Sequence, residues 1–437
     1  MDCLNLHAFT SLLIPLLPVA SLPHSPEPAA VAFSRERRHL RAALLAVGLV
    51  LLSGVAAGVF TLRLEKREIH TVALEGSPHK DLSIVWQRAA MAEPDILPLY
   101  GSSELAKHFG NEPQRFFAGY PTGFAVSPVG RGGCTSLVLA EKIAAAAGDA
   151  PHGRKLAVSL SPSWFFHMEA HHRWYVGNFS AAQASVLIFS PRLSLELKRD
   201  FARRMLDYPD SVEHAPVLAF ALHRLVGRQW ADTALYHAVT PLARVQDALG
   251  RLGDHFAFAW HILHDHDRPD VSPRPPSPLD WETILTSGRG EVVAQPKDRM
   301  KDYAPRFVGN RRFVQVLGES REWDDLELLL RVMHELDLDP LLLSIPVDYP
   351  YYESIGITRA SLDQYLAHLH ALASRYDVTL VDFAAHENDT AFFADHNDHL
   401  SARGWLYMDR ALDFYYHASA HQRFIAPDGI GAGEIYP

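Results

Sequence analysis

Two short segments carry the residue types that nucleophilic catalysis needs, and the first is a serine pair. Gly101, Ser102 and Ser103 follow an apolar run, 96–100, that is typical of a strand, and a helical stretch comes next. A serine at such a turn lies at the carboxyl edge of a sheet and at a helix N-terminus, where free N–H groups stabilise an oxyanion. Taken alone, the simpler interpretation is that Ser102 or Ser103 caps the helix. The second glycine of the G-x-S-x-G elbow is also absent.

The second segment places candidate bases and acids just before the last predicted helix. Residues 393–401 read Phe-Ala-Asp-His-Asn-Asp-His-Leu-Ser. A serine nucleophile needs a general base, and the base needs a carboxylate that orients it. His396 and His399 are candidate bases, and Asp395 and Asp398 are candidate acids. The segment could instead be a polar surface loop, and two histidines are too few ligands to indicate zinc.

These segments need a fold that positions them, and the chain between them alternates strands with helices. Strands are predicted at 96–100, 155–160, 341–347 and 378–383, and helices at 134–147, 323–338, 362–376 and 402–417. This alternation predicts a three-layer α/β domain with a parallel sheet covered on both faces. Residues 181–267 are nearly all helical in pattern and are expected to form an insertion. Residues 268–305 are rich in proline and should form a long connection.

A membrane anchor is predicted near the start of the chain. Residues 42–62 carry no charge, and at about 1.5 Å per residue they span a hydrocarbon core of about 30 Å. A signal peptide would lie nearer the terminus, and a core helix would be amphipathic. We therefore predict one transmembrane helix at 42–62. Before it lies a cytoplasmic segment, 1–41. After it we expect a stalk at 63–94, a catalytic domain at 95–420 and a tail at 421–437.

The flanking charges predict the orientation of this helix. Four basic residues precede the run and three follow it, namely Arg35, Arg37, Arg38 and Arg41, then Arg63, Lys66 and Arg67. This small bias favours a cytoplasmic N-terminus and a domain on the periplasmic or extracellular side of the inner membrane. A shorter apolar stretch, 12–22, contains two prolines and is expected to be interfacial or disordered. If it also spanned, the domain would face the cytoplasm.

Composition excludes several classes of protein. The 437 residues are 48% hydrophobic and 21% charged, as in globular chains with a sizeable core. The net charge of −10 and the lack of a basic stripe argue against a nucleic-acid partner. Cys3 and Cys134 lie on opposite sides of the apolar run and are not expected to pair. A cluster of polar residues is interpreted as a solvated helix end, namely His261, His264, His266 and Asp267. Neither a metal nor a cofactor is therefore expected.

Together the two segments resemble the arrangement of SGNH-type hydrolases, with a nucleophile after the first strand and an Asp/His pair before the last helix. The chain more closely resembles the D-alanine transfer protein (DltD) family, whose signatures occur in order over 100–417. They are Tyr-Gly-Ser-Ser-Glu-Leu at 100–105, Gly-Arg-Gly-Gly-Cys-Thr-Ser-Leu at 130–137, Ser-Pro-Ser-Trp-Phe at 161–165, Trp-Asp-Asp-Leu-Glu-Leu-Leu-Leu at 323–330, Ile-Pro-Val-Asp-Tyr at 345–349 and His-Leu-Ser-Ala-Arg-Gly-Trp at 399–405.

The resemblance implies an SGNH/flavodoxin-like fold with Ser103 as nucleophile and His399 as base. It also implies that Gly132 and Gly133 lie near the oxyanion and that Trp164 lines the pocket. The implied activity takes D-alanyl or similar acyl groups from a carrier-protein or membrane-acyltransferase donor to a cell-envelope polymer. Two alternatives are an envelope polysaccharide O-acyl esterase or acetyltransferase, and a non-catalytic scaffold that docks a carrier protein and a membrane acyltransferase.

One departure from the family concerns the acid that orients His399. The family has aspartate three residues before this histidine, where the present chain has His396. Asp398 is the immediate neighbour, and adjacent side chains of extended backbone point to opposite sides. Asp395 reaches back if 395–399 forms a tight turn, which Asp and Asn favour. We therefore predict Asp395. Asp398, or a Ser–His dyad without an acid, remain the alternatives.

The predicted orientation can be tested by protease accessibility. Protease added to intact spheroplasts should degrade the C-terminal domain, because the basic bias places it outside the cytoplasm. The measurement is an immunoblot of the domain before and after lysis. Protection in spheroplasts followed by digestion after lysis would show an inverted orientation or a second span at 12–22.

Overall fold

The computed structural model of this chain describes residues 29–264, 275–287, 309–395, 399–418 and 425–426. Of residues 29–38 and 425–426 it describes the backbone only. The chain divides into two compact units, 1–60 and 61–437.

The first unit contains most of the apolar part of a long helix, α1, at Ala29–Val72. Among the described residues, α1 is the one helix long and apolar enough to cross a membrane, over His39–Val72. Apolar side chains such as Leu45 and Val50 are exposed along it. The predicted run 42–62 lies inside this helix, so the prediction of one long apolar N-terminal helix is confirmed.

The second unit is built on one parallel sheet of six strands. They are β1 (Ile96–Gly101), β2 (Ala125–Gly130), β3 (Arg154–Leu160), β4 (Leu338–Ser344), β5 (Thr379–Val381) and β6 (Ile425–Ala426). Their order is β2-β1-β3-β4-β5-β6, and every pairing is parallel. The first five strands follow the order 2-1-3-4-5 that is typical of flavodoxin-like folds. The direction of winding reverses between β1 and β3, and ligands of such folds bind at this point of the sheet.

The strand β2 was missed in the sequence because its pattern is unusual for a strand. It contains Ser127 and Pro128, yet it pairs with β1 over six residues. The first pair is Ile96 with Ala125, and the last is Gly101 with Gly130. Proline cannot donate to a sheet ladder, so it is tolerated mainly in edge strands. β2 is an edge strand, and only the assembled sheet reveals that position.

Seventeen further helices surround the sheet in the described residues. They are α2 (Pro78–Leu82), α3 (Ile84–Ala92), α4 (Pro113–Gly119), α5 (Ser136–Ala146), α6 (Ser163–Phe166), α7 (His171–Asn178), α8 (Ala181–Ile188), α9 (Leu195–Met205), α10 (Pro209–Val212), α11 (Pro216–Val226), α12 (Trp230–His264), α13 (Trp281–Thr286), α14 (Asn310–Glu319), α15 (Glu322–Glu335), α16 (Tyr349–Ser354), α17 (Arg359–Arg375) and α18 (Ala402–His417).

Alternate side chains of the strands point to two separate hydrophobic cores. In β4, Leu342 belongs to the larger core with Leu329 of α15, whereas Leu341 and Leu343 belong to a second core with Trp405 of α18. Burying one such leucine side chain contributes about 1.5–3 kcal/mol. A sheet with an apolar core on each face needs helices on both faces, which confirms the predicted three-layer α/β fold.

Residues 78–92, expected to belong to a stalk at 63–94, are packed into the second unit instead. Trp86 of α3 is 1% exposed, and its ring stacks on Phe258 of α12 at 4.7 Å between centroids. Lys80 is also buried, and its Nζ donates to the carbonyl of Ala73. These residues pack into the domain because α3 carries several apolar side chains, and burying them lowers the free energy of the folded chain.

The region predicted as a helical insertion is helical in its described part, from α8 to α12. Most of the proline-rich connection lies outside the described residues, apart from 275–287. There, Trp281 of α13 donates its Nε1–H to Asp413 of α18 over 2.8 Å. Cys134 is buried with a free thiol, and Cys3 lies outside the described residues.

The close approach of β1 and β2 yields a stability prediction. A Cβ on Gly130 would lie 2.3 Å from the carbonyl oxygen of Gly101, which is rigid backbone. Gly130→Ala should therefore lower stability by about 1–3 kcal/mol, as overpacking typically does. Thermal unfolding of the full chain in mild detergent should show a melting temperature several degrees lower.

The matched control for this variant is Gly318→Ala in α14. A Cβ there meets nothing within 4 Å, and alanine favours helix over glycine by up to about 1 kcal/mol. Its melting temperature should equal or exceed that of the parent protein. Equal melting temperatures for Gly130→Ala and the parent would contradict the proposed clash.

Candidate active site

Ser103 stands just beyond the carboxyl end of β1. The strand ends at Gly101, and Ser103 opens a short 3₁₀ helix, Ser103–Leu105. A Cβ on Gly101 would lie 2.3 Å from Glu104 Oε1, so a side chain there would displace the Glu104 carboxyl group. The helix expected after the serine is thus a single turn. It is too short for a helix dipole to stabilise an oxyanion strongly, so the expectation that a helix N-terminus does so here is wrong.

The two serines of this turn have different partners. Ser102 is buried, and its Oγ accepts the backbone N–H of Gly133 over 3.1 Å. Its own N–H is bonded to Glu104 Oε1 at 2.7 Å. Neither serine caps the short helix, because the structure shows no side-chain cap there. Ser102 instead ties the turn after β1 to the glycine turn after β2.

Ser103, His399 and Asp395 are brought together by the fold. Ser103 Oγ lies 2.9 Å from His399 Nε2. On the other side of the ring, Nδ1 lies 2.8 and 2.7 Å from the two carboxylate oxygens of Asp395. His399 is 1% exposed, whereas Ser103 is half-buried. Among the described residues, the acid that contacts this ring is therefore Asp395, four residues before it.

Two backbone contacts explain how Asp395 comes close to His399. The N–H of Ala394 donates to the carbonyl of His399 over 2.8 Å, and Phe393 and Leu400 form an antiparallel bridge. These contacts close the loop at its base, directly before Ser401 caps α18. Residues 396–398, and with them the alternatives His396 and Asp398, lie outside the described residues.

The contacts of the His399 ring indicate which of its two nitrogens carries the hydrogen. If Ser103 Oγ–H donates to Nε2, the ring hydrogen sits on Nδ1 and is donated to Asp395. Lys107 Nζ lies 3.3 Å from Nδ1 and 3.7 Å from Asp395 Oδ2. Because Nδ1 already donates to the carboxylate, the Lys107 ammonium pairs with Asp395 rather than with the ring. The ring of Phe109 lies 6.1 Å from that of His399.

The glycine turn after β2 lies beside Ser103. A Cβ on Gly132 would be 3.9 Å from Ser103 Cβ. Gly133 has a φ of +83°, and a Cβ there would lie 2.7 Å from Trp174 Cδ1, so side chains are excluded. Asn178 Nδ2 donates to the carbonyl of Gly132 over 3.2 Å, and its Oδ1 accepts Arg131 Nε–H over 2.6 Å. Within the described part of the chain, the N–H of Gly132 donates no hydrogen bond.

Glu104 is a buried acid behind the nucleophile position. Burial raises the pKa of Glu104, while its hydrogen bond to the Ser102 N–H and the nearby His399 oppose this rise. The Glu104 carboxyl group therefore supports the turn that carries Ser103, although it does not contact Ser103 Oγ. Replacing Glu104 would first disturb the backbone of this turn.

Trp164 lies in α6, after β3, and is 3% exposed within the larger core. Its carbonyl oxygen is bonded to His171 Nε2 at 2.5 Å. Whether the ring also lines a substrate pocket stays a prediction. His261, interpreted from sequence as part of a solvated helix end, is instead buried, with Nε2 2.7 Å from Glu75 Oε2.

Three residues of the site were missed in the sequence analysis. Lys107 and Phe109 follow Ser103 closely, so the local spacing offered a signal for them. Asn178 belongs to α7, and nothing in its local pattern indicates that it holds the glycine turn. Its role depends on the packing of α7 against the turn that follows β2.

Comparison with known proteins gives consistent matches. The family model described as DltD protein matches residues 75–291 and 296–417. Protein DltD of Bacillus subtilis (strain 168) is 25% identical over 342 residues, 76% of this chain and 84% of that protein. Protein DltD of Staphylococcus aureus (strain NCTC 8325 / PS 47) is 24% identical, covering 72% and 79%, and that of Lacticaseibacillus rhamnosus is 21% identical, covering 74% and 78%. The resemblance indicated by the motifs is confirmed.

The geometry around His399 leads to a kinetic prediction. Asp395→Asn should slow the reaction of Ser103 with an activated acyl ester by about two to four orders of magnitude, because the amide favours the wrong ring tautomer. The measurement is the single-turnover rate of acylation at saturating ester. Asp398→Asn is the matched control and should lose little.

Two outcomes would contradict this assignment. A larger loss in Asp398→Asn than in Asp395→Asn would give the orienting role to the other aspartate. Near-normal rates in both variants would favour a Ser–His dyad.

Proposed function

This chain belongs to the DltD protein family, and on that premise we propose that it is a membrane-anchored serine acyl-transfer enzyme. It handles D-alanyl or similar acyl groups and passes them to a cell-envelope polymer. The observation that carries this proposal is the continuous contact from Ser103 Oγ through His399 to Asp395. These are the parts that activate a serine hydroxyl at neutral pH.

The first half of the proposed reaction forms an acyl-enzyme. Ser103 Oγ attacks the acyl carbonyl carbon of the donor while its proton passes to His399 Nε2. Asp395 keeps the ring oriented and stabilises the imidazolium that forms. When the tetrahedral intermediate collapses, the bond to the donor thiol or alcohol breaks, and His399 returns the proton to that leaving group.

The second half transfers the acyl group to the acceptor. A hydroxyl of the envelope polymer takes the place of the donor and loses its proton to His399 Nε2. Its oxygen attacks the acyl carbon, and the ester to Ser103 breaks. The proton returns to Ser103 Oγ, so the enzyme is regenerated and the sum is transfer of one acyl group. No step requires a cofactor.

The oxyanion of both tetrahedral intermediates needs N–H donors, and the glycine turn is the proposed source. Gly132 lies beside Ser103 and its amide is free of partners in the described residues, while Gly133 is fixed by the Ser102 hydroxyl. Removing one such donor typically costs about 2.7–4 kcal/mol of transition-state stabilisation. Trp164 is proposed to border the acyl pocket.

The proposed location follows from α1. One helix of the described chain is long and apolar enough to span a membrane. We place it in the inner membrane as a single pass, with the domain on the periplasmic or extracellular side, where envelope polymers lie. An envelope O-acyl esterase or acetyltransferase would use the same residues, and the identity of the acceptor separates these activities.

A covalent intermediate at Ser103 is the direct test. The purified full chain in detergent is incubated with an activated D-alanyl ester, digested and analysed by mass spectrometry. The peptide containing Ser103 should carry the acyl group, since its hydroxyl contacts the base. Ser103→Ala should abolish this modification, and Ser374→Ala, an exposed serine of α17, should retain it.

A scaffold protein would behave differently in the same experiment. Acylation at other residues only, or none in a folded preparation, would contradict the assignment of Ser103. Retention of the cellular role by Ser103→Ala would favour docking of other proteins over catalysis.

A further inference from the structure

One face of α12 exposes a continuous row of large apolar side chains. They are Leu235, Leu242, Val245, Leu249, Leu252, Phe256, Trp260 and Leu263, with exposed fractions of 44% to 66%. At about 100° per residue they lie within an arc of about 100°, so they form a single stripe along the helix. Exposed apolar surface of this extent on a folded protein marks an interaction site.

The polarity of α12 is reversed relative to a helix that lies on a protein surface in water. Its acids point inward, where Asp247 accepts the Ser185 hydroxyl over 2.7 Å and Asp254 accepts the Val85 N–H over 2.8 Å. Small residues such as Ala248 and Gly253 separate the large ones on the outer face. A water-facing helix would expose its charges and bury its leucines.

We propose that this stripe contacts the lipid bilayer and forms a second membrane attachment of the chain. The inference rests on the proposed anchoring by 42–62. α12 packs against the residues that directly follow that run, since His255 Nδ1 lies 2.9 Å from both carboxylate oxygens of Glu65. Further along both segments, His261 of α12 pairs with Glu75.

This packing brings α12 next to the residues that follow the apolar run. Residues 65 and 75 meet residues 255 and 261 in that order, so α12 and residues 65–75 run side by side in the same direction. Glu65 lies three residues beyond the end of the apolar run. Three basic residues next to Glu65 in the chain are exposed, namely Arg63, Lys66 and Arg67. Their charges complement anionic lipid head groups.

Spin labelling tests this contact with the full chain. In a background of Cys3→Ser and Cys134→Ala, a nitroxide is attached at Leu249→Cys on the stripe. Gln364→Cys on the exposed side of α17 serves as the water reference, and Val50→Cys in the apolar run as the lipid reference. The protein is placed in vesicles of three parts phosphatidylethanolamine to one part phosphatidylglycerol. Collision rates with oxygen and with a water-soluble nickel chelate are then measured.

A lipid contact predicts an oxygen-to-nickel collision ratio at Leu249→Cys several-fold above that at Gln364→Cys. An equal ratio at these two positions would overturn the inference. Dipolar coupling between labels that disappears on dilution with unlabelled protein would also overturn it, because a second copy would then cover the stripe. If Val50→Cys itself gave a water-like ratio, the proposed anchoring would fail, which is a separate result.

Discussion

The candidate site depends on the contact between the ends of β1 and β2. Gly130 approaches the backbone of Gly101 so closely that it has no room for a side chain, and a side chain on Gly101 would meet Glu104. Directly beyond this contact, the Ser102 hydroxyl accepts the Gly133 N–H, which joins the two turns. Ser103 is therefore presented by one turn and faced by the other. Two glycines and one hydrogen bond thus fix the position of the glycine turn relative to Ser103.

A buried network extends this support to the segment near the anchor. Asp81 of α2 is 2% exposed and pairs with Lys142 of α5 and, at 3.3 Å, with Arg131 Nε. Arg131 also donates to Asn178, which holds the carbonyl of Gly132. Breaking one partner of such a buried pair typically costs about 3–5 kcal/mol. The glycine turn is thus fixed from the side of α2 as well as from the sheet.

Much of the fold could be predicted from the sequence because its signals are local. The strand that ends at Gly101 and the helix capped by Ser401 follow from short apolar patterns and a capping residue. Ser103 and His399 were predicted from motif order and Asp395 from the spacing within 395–399, and the fold brings these three side chains together. β2 and Asn178 were missed because their places depend on sheet order and on packing between distant elements. The segment 78–92 was misjudged because a short apolar helix looks the same whether it packs or not.

The proline of β2 has a consequence for how the chain survives before it is fully assembled. A parallel sheet forms late, since its strands are joined by long crossovers, and its open edges are templates for other chains. Pro128 stands on the outermost strand of the described sheet and has no amide hydrogen, so β2 offers one donor fewer to any neighbouring strand. The residue that made β2 hard to recognise thus also makes it a poor seed for aggregation.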